Sequence, residues 1–253
     1  MAETLDFGQR GTVVVYDDAS QVAHSAAELV RSLTTAATHD RGGATIALSG
    51  GSTPKAMGAV LREEPYYSAI PWGSLHFFWG DERYVPLESP ESNAGEAMRG
   101  YLDAVPVPDR NVHPFDTVVD PEVAASSYEA TIRNLVPGGP VPMFDLILLG
   151  MGDDGHTASL FPDTEALGER ERLVVANHVP KLDATRLTFT YPLINAARAV
   201  VFLATGDGKA ERLAEVLEGD EDLVRLPSQG VNPRRGTLTW LVDRAAASAL
   251  TRS

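Results

Sequence analysis

Short apolar runs alternate with longer amphipathic segments over most of the chain. A short run rich in β-branched and aromatic residues predicts a buried strand, whereas apolar residues spaced three and four apart predict a helix. The predicted strands cover residues 12–16, 44–48, 75–79, 146–149, 173–176, 186–190 and 199–204. The predicted helices cover residues 22–33, 54–61, 93–102, 121–135, 209–217 and 241–250.

Strands that alternate with helices at this interval predict parallel βαβ units with right-handed crossovers. The expected fold is therefore α/β, with a Rossmann-like, mostly parallel sheet flanked by helices. No repeat, low-complexity tract or long linker divides the sequence. We expect a single domain over residues 1–253, with room for a smaller sub-lobe.

The composition is that of an ordinary globular protein, because 43% of the 253 residues are hydrophobic and 22% are charged. The absence of cysteine excludes disulfides, thiolate nucleophiles and Cys-ligated metals. The first residues show no basic segment followed by an apolar one, and no apolar run approaches the length that spans a bilayer. We therefore expect a cytoplasmic protein, as a monomer or a small homo-oligomer.

The formal net charge of −14 argues against binding to nucleic acid or to an anionic membrane, since both partners need a basic surface. An anionic small molecule would have to bind in a local basic pocket. Four cations lie near predicted strand ends or helix starts and are candidates for such a pocket, namely Lys55, Arg83, Arg186 and Lys209.

The strongest candidate for a functional site follows the predicted strand at 146–149. The segment Gly150-Met-Gly-Asp-Asp-Gly-His156 places Asp153, Asp154 and a histidine just past the carboxyl end of that strand, where open α/β sheets bind ligands. One alternative is a helix start, with an aspartate as N-cap and a surface histidine. A metal site is another, although no matching His/Glu pair at helical spacing occurs elsewhere in the chain.

A glycine-rich loop, Ser49-Gly-Gly-Ser-Thr-Pro-Lys55, joins the strand at 44–48 to the next helix. Free backbone N–H groups and the helix dipole at such a junction favour an anion such as phosphate. The loop matches neither the Walker motif nor the dinucleotide fingerprint. A plain tight turn is one alternative. A serine-hydrolase elbow around Ser52 is another, but Pro54 stands where that motif needs its last glycine.

A third strand end carries Gly80-Asp-Glu-Arg83 after a run of aromatic residues. Arg83 is suited to clamp an anion or to stabilise a developing oxyanion, and an internal ion pair is the structural alternative. Arg186 opens a predicted strand, and Lys209 lies at a turn between a strand and a helix. Lys209 is therefore placed to act as a point charge for an anion, with a solvated surface lysine as the alternative.

Taken together, these motifs resemble those of the 6-phosphogluconolactonase family, in the same order and over almost the whole chain. The segments that carry the resemblance are Leu48-Ser-Gly-Gly-Ser-Thr-Pro54, Trp79-Gly-Asp-Glu-Arg-Tyr-Val-Pro86, Gly150-Met-Gly-Asp-Asp-Gly-His-Thr-Ala-Ser-Leu-Phe-Pro162, Arg186-Leu-Thr-Phe-Thr190, Gly208-Lys-Ala-Glu211 and Trp240-Leu-Val-Asp243. The resemblance implies a fold similar to glucosamine-6-phosphate deaminase. It also implies hydrolysis of a phosphorylated sugar lactone, 6-phospho-D-glucono-1,5-lactone, in the oxidative pentose phosphate pathway, without a cofactor or a metal.

The resemblance also implies roles for individual residues. His156 is expected to be the general base that activates water, and Arg83 to position the substrate or stabilise the carbonyl charge. Asp154 is taken as the catalytic partner of His156, although the sequence leaves open whether Asp153 or Asp154 orients its ring. The residues expected to bind substrate are Gly50, Gly51, Ser52, Thr53, Asp81, Asp153, Arg186 and Lys209.

Two rival functions share parts of this pattern. An isomerase or deaminase of amino-sugar phosphates would share the fold and the phosphate loop. After His156, however, the chain lacks the Asn-Glu-Pro ending that is typical of deaminases. A non-catalytic sugar-phosphate sensor would need an output module, and the chain has no appended basic helix-turn-helix region. Lactone hydrolysis is therefore the favoured interpretation.

Overall fold

The computed structural model describes residues 2–251, which form two β-sheets and the helices packed on them. The strands are β1 (Glu3–Asp6), β2 (Thr12–Tyr16), β3 (Ala44–Leu48), β4 (Leu75–Trp79), β5 (Asp81–Arg83), β6 (Leu146–Gly150), β7 (Val174–Val179), β8 (Ala184–Phe189), β9 (Ala199–Ala204) and β10 (Thr237–Asp243). The helices are α1 (Ala19–Arg41), α2 (Ser52–Leu61), α3 (Tyr66–Ala69), α4 (Asn93–Gly100), α5 (Pro121–Leu135), α6 (Tyr191–Ile194) and α7 (Ala210–Glu218). None of these helices is both long enough and apolar enough to span a membrane.

The main sheet has seven strands in the order β1-β2-β10-β9-β6-β3-β4. All of its neighbouring pairs are parallel except β1 with β2, so the expectation of a mostly parallel sheet is confirmed. Every residue of β3 and of β9 is buried. Helices that cover both faces of a parallel sheet exclude water from its central strands, which is why all residues of these two strands except Thr45 are apolar.

The longer helices begin and end where the sequence supplies caps. The Asp18 carboxylate accepts the N–H of Gln21 at the start of α1, and Gly42 ends that helix with a left-handed backbone. At α5, Asp120 is the N-cap and Pro121 occupies the first turn, where its missing N–H costs nothing. These helix boundaries are therefore set by local chemistry, and packing decides which face each helix buries.

The second sheet is small and antiparallel, with the strand order β5-β8-β7. The predicted strands at 173–176 and 186–190 belong to this sheet, so the expectation that they continue the parallel alternation is wrong. A single turn of 3-10 helix, Pro180–Leu182, joins β7 to β8 and leaves no chain for a helical crossover. Strand β5 was not predicted because it has only three residues, and all three are charged.

The predicted helix at 241–250 is also wrong. Leu241 and Val242 lie in β10, which runs parallel between β2 and β9 and is buried from Trp240 to Asp243. Turns follow this strand. The Ala-rich segment after Asp243 favours a helix locally, but the gap between β2 and β9 is filled only by an extended segment, and that burial outweighs local propensity.

The order in which strands are added to the main sheet reverses at β3, although the strands there remain parallel. After β3 the chain adds β4 on one side, whereas β6 pairs with β3 on the other side and β9 follows β6. Loops that leave the carboxyl ends of such neighbours diverge to opposite faces and leave a crevice, which is the usual ligand site of open α/β sheets. The loops after β3, β4, β6 and β9 are those that carry the motifs predicted from the sequence.

Two partly buried histidines, His76 and His113, stack on each other beside Phe78. His76 on β4 and His113 are 3.0 Å apart between Nδ1 and Nε2, and the His113 ring stacks on Phe78. Burial, followed by the charge of His76, lowers the pKa of His113 to about 4. Burial, followed by the charge of Arg110, also lowers the pKa of His76.

We expect this pair to make the protein less stable as the pH falls from about 6.5 towards 4.5. In that window the histidines bind protons in the unfolded chain but stay neutral in the folded protein. The free energy of unfolding therefore decreases as the pH falls. Solvent screening of the partly exposed rings limits the loss to about 1 kcal/mol. Denaturant unfolding of wild type and His113→Gln at several pH values measures it. The variant should lose part of the pH dependence, and His39→Gln on the exposed end of α1 should keep it; equal slopes in all three proteins would contradict the assignment.

Candidate active site

The turn after β6 brings His156 back over the carboxyl end of the strand. The N–H of Gly152 donates to the carbonyl of His156 at 2.9 Å, and the N–H of Gly155 donates to the carbonyl of Gly152 at 3.0 Å. Gly155 has a φ of 84°, a conformation that L side chains rarely adopt. No helix begins at this turn, and the next helical segment is the 3-10 turn Glu165–Gly168, so the alternative of a helix start is wrong.

The His156 ring is held from two sides. Its Nδ1 lies 2.6 Å from Asp154 Oδ1, and its face stacks on Phe161 at a centroid distance of 3.9 Å. The hydrogen bond to His156 is the largest of the causes that hold the pKa of Asp154 well below its usual range. With an ionised carboxylate on Nδ1, the neutral ring carries its proton there and presents an unprotonated Nε2, as a general base requires.

The structure distinguishes the two neighbouring aspartates, which the sequence left open. Asp154 contacts the histidine and has a partly buried side chain. The Asp153 side chain is 82% exposed, points away to an ion pair with Lys209, and its carbonyl accepts a hydrogen bond from Arg212. Asp154 is therefore the residue that orients His156, whereas Asp153 ties the turn to the loop after β9.

Lys181 contacts the second oxygen of Asp154. Its Nζ lies 3.0 Å from Oδ2, while Oδ1 faces the histidine. The lysine comes from the 3-10 turn between β7 and β8, so it reaches the site from the small sheet. Sequence reasoning missed it, because neither its spacing from Asp154 nor its place in a proline-marked turn signals the contact.

A cavity of about 300 Å³ opens beside the histidine. Six of the residues predicted from the sequence line it, namely Asp81, Arg83, Asp153, Asp154, His156 and Arg186. The remaining lining residues are Ala158, Ser159, Phe161, Lys181 and Leu182, which sequence reasoning missed. The structure therefore assembles loops from both sheets around one histidine.

Two arginines face each other on the wall of this cavity. Arg83 of β5 and Arg186 of β8 are paired across the antiparallel strands. The guanidinium of Arg83 donates to the carbonyl oxygen of Glu91 at 2.7 Å, so its partner is not a carboxylate. Burial, followed by the charge of Arg83, lowers the pKa of Arg186 from its ordinary value. Two like charges on directly paired residues of neighbouring strands favour an anionic group between them or beside them.

The acidic residues next to Arg83 support the wall of the cavity. Asp81 accepts the hydroxyl of Ser159 at 2.7 Å. Glu82 is buried and accepts the backbone N–H groups of Asn93 and Ala94 at the start of α4. Burial raises the pKa of Glu82, and these N–H donors oppose the shift. The carboxylate thus occupies the positive end of α4 and fixes the strand that carries Arg83.

The glycine loop lies at the start of α2, outside the cavity of His156. A Cβ on Gly50 would overlap with the side chain of Asn93, and Gly51 is the N-cap with a φ of 112° and no side-chain cap. Thr53 lies at the first turn of α2, and its hydroxyl is 2.8 Å from that of Thr205, in the loop that leads to Lys209. The loop therefore adjoins the Lys209 segment at the same edge of the sheet.

Two further candidates, Ser52 and Lys55, do not line the cavity. Ser52 is exposed at the start of α2 and does not line the cavity, where the serine present is Ser159. This arrangement does not support the serine-hydrolase alternative. Lys55 is exposed and forms an ion pair with Glu96 at 2.9 Å. Among residues 2–251 no group of three or more His, Cys, Asp or Glu side chains is arranged to hold a metal ion.

Fold and site together define an α/β protein with a mostly parallel sheet and an oriented histidine beside paired arginines in a cavity at its edge. Residues 17–240 match the family model described as glucosamine-6-phosphate isomerases/6-phosphogluconolactonase. The chain therefore belongs to this family, as its sequence motifs indicated.

Relatives and solved structures agree with this assignment. The 6-phosphogluconolactonase of Synechocystis sp. is 46% identical over 219 residues, which cover 85% of this chain and 88% of that protein. The structure of 6-phosphogluconolactonase from Trypanosoma cruzi is similar with a TM-score of 0.85 and 31% identity, covering 98% of this chain and 99% of that one. A monomeric glucosamine-6-phosphate deaminase, at a TM-score of 0.78 and 19% identity over 94% of this chain and 99% of that one, shares the fold.

Proposed function

We propose that this protein hydrolyses 6-phospho-D-glucono-1,5-lactone to 6-phospho-D-gluconate, a step of the oxidative pentose phosphate pathway. The observation that carries the proposal is the pair His156 and Asp154, 2.6 Å apart, in a cavity that also holds Arg83 and Arg186. The relatives named 6-phosphogluconolactonase support it, at identities that reach 46%. They favour hydrolysis over the isomerase or deaminase reaction.

The chemistry needs a base and a charge stabiliser, and no covalent nucleophile, because a lactone carbonyl is already electrophilic. In our proposal Nε2 of His156 takes a proton from water as its oxygen attacks the carbonyl carbon. Asp154 stabilises the imidazolium that forms, and Arg83 neutralises the developing oxyanion. The bond from the carbonyl carbon to the ring oxygen then breaks, and the imidazolium returns its proton to that oxygen. The product carboxylic acid ionises.

We infer that the phosphate binds where the glycine loop meets the Lys209 segment. The uncapped start of α2 at Gly51 offers N–H groups and the positive end of a helix dipole. The hydroxyl contact between Thr53 and Thr205 joins this start to the loop that carries Lys209. Ser52 and Gly50 complete the loop, and Arg186 is the cation that reaches the phosphate or its neighbouring hydroxyls from the cavity wall.

Lys209→Ala tests the phosphate site. We expect KM for the phosphorylated lactone to rise about 10-fold, the effect of losing one charge-assisted hydrogen bond. Hydrolysis of unphosphorylated gluconolactone should change little, since it has no group for Lys209 to bind. Initial rates of both lactones, with the spontaneous reaction subtracted, give the answer. Equal losses for the two substrates would refute the phosphate role, and Lys209→Arg should retain most of the binding.

We further infer that residues 1–253 form one domain that works in the cytoplasm as a monomer or a small homo-oligomer. The absence of a long linker supports a single domain, the absence of cysteine fits a reducing compartment, and the formal net charge is −14. The same charge argues against a nucleic-acid or membrane partner, because such partners need a basic surface. Light scattering coupled to size-exclusion chromatography measures the oligomeric state directly.

A further inference from the structure

The side chains of Lys181, Asp154 and His156 form a continuous chain of contacts. Oδ1 of Asp154 is bonded to the histidine at 2.6 Å, and Oδ2 faces the lysine ammonium at 3.0 Å. Each carboxylate oxygen thus has its own partner, one from the main-sheet loop and one from the turn between β7 and β8. The aspartate cannot rotate without giving up one of the two contacts.

We propose that Lys181 is a positioning residue for the reaction assigned to His156. Its ammonium holds the carboxylate of Asp154 in the plane that places a proton on Nδ1, and its charge keeps the histidine in the neutral form that accepts a proton from water. The proposal rests on the proposed function for its kinetic part, while its electrostatic part concerns the ring itself.

The electrostatic argument starts from an aspartate beside an imidazole. An unpaired carboxylate favours the imidazolium form, and a histidine that is already protonated is useless as a base. A cation on the second carboxylate oxygen offsets part of that effect. Because Lys181 is 70% exposed, water screens its charge. We therefore expect its removal to raise the pH at which the ring takes up a proton by only about 0.5 to 1 pH unit.

Other charges around the ring are engaged elsewhere. Asp153 is paired with Lys209, Arg83 donates to the Glu91 carbonyl, and Asp81 accepts from Ser159. Arg186 completes the charged groups that line the same cavity. A substitution at Lys181 leaves these contacts in place, so its effect on the ring is expected to run through Asp154.

Lys181 adds little to folding, because its side chain is mostly exposed and water screens its ion pair with Asp154. Variants at this position should therefore fold. For Lys181→Met we expect kcat for the phosphorylated lactone at pH 7 to fall about 3- to 10-fold with little change in KM. The acid limb of the profile of kcat/KM against pH should move up by about 0.5 to 1 pH unit, and Lys181→Arg should restore most of both.

The experiment has two independent readouts and a matched control. Rates are measured from pH 5 to 7.5 with the spontaneous hydrolysis subtracted, and the titration of the His156 ring protons is followed by NMR without substrate. Arg244→Met is the control, because it removes one positive charge from an exposed ion pair with Asp17 outside the site. It should leave both the rates and the titration as in wild type.

Three outcomes would overturn the proposal. An unchanged His156 titration in Lys181→Met removes the electrostatic role. A rise in KM for the phosphorylated lactone alone, with an unmoved pH profile, makes Lys181 a phosphate ligand instead. A loss that Lys181→Arg does not rescue, or that Arg244→Met shares, points to a general effect. If wild type itself fails to accelerate lactone hydrolysis, the proposed function fails, and the NMR titration still tests the link from Lys181 to His156.

Discussion

His156→Ala is expected to lower the catalysed rate of 6-phosphogluconolactone hydrolysis by roughly 10²- to 10⁴-fold, the usual contribution of a general base. The ring is the only imidazole among the residues that line the cavity, and Asp154 fixes the tautomer that exposes Nε2. Alanine removes the base and leaves the arginines in place. KM should therefore change less than kcat.

The lactone also hydrolyses spontaneously, so the rate must be compared with the uncatalysed background at each pH. His39→Ala is the matched control, since His39 is exposed in the last turn of α1. That turn leads into the amino end of β3, at the opposite edge of the sheet from the site. Near-normal turnover by His156→Ala would remove this histidine from the mechanism.

Gly152→Ala is expected to reduce activity by roughly 100-fold, because a displacement of about 1 Å of a catalytic group is enough for such a loss. A Cβ at residue 152 would overlap with Cε1 and Nδ1 of His156 and would lie 2.9 Å from Oδ1 of Asp154. The added methyl group therefore pushes directly against the hydrogen bond that orients the ring. Both kcat and the NMR titration of His156 should change.

Gly168→Ala provides the control for this substitution, because a Cβ at that position would meet no atom within 4 Å. We expect it to keep wild-type activity. Thermal unfolding of the two variants separates a local effect from a loss of folding: Gly152→Ala should retain a cooperative transition close to that of wild type. If both glycine variants had the same activity, the contact between residue 152 and His156 would have no catalytic importance.

Much of this site was predictable because parallel sheets impose a simple rule. Buried strands need continuous apolar runs, so β3, β6 and β9 can be read from the sequence, and their carboxyl ends meet at one edge. Asp154, His156 and Arg83 are therefore predictable as one group from the sequence alone. The prediction was wrong for residues 241–250. Local propensity favours a helix there, whereas the gap between β2 and β9 is filled by a strand that includes Leu241 and Val242.

The contacts that give these residues their roles depend on parts of the chain that are distant in sequence. Lys181 reaches Asp154 across 27 positions, and Thr53 meets Thr205 across 152. Neither contact has a local signal, because the sequence pattern of a strand or a turn says nothing about which other turn lies opposite. The expected fold left room for a smaller sub-lobe, but the strands of the small sheet that delivers Lys181 and Arg186 were predicted as part of the parallel alternation.

The sequence by itself determined five strands of the main sheet (β2, β3, β4, β6 and β9), the edge predicted to bind a ligand and the chemical groups available there, since apolar periodicity is a local property of the chain. Only the tertiary structure decided which aspartate serves His156. The turn through Gly152 and Gly155 directs the side chain of Asp154 towards the ring and that of Asp153 towards Lys209. Two adjacent carboxylates are chemically alike, and the direction of the backbone between them is what makes them different.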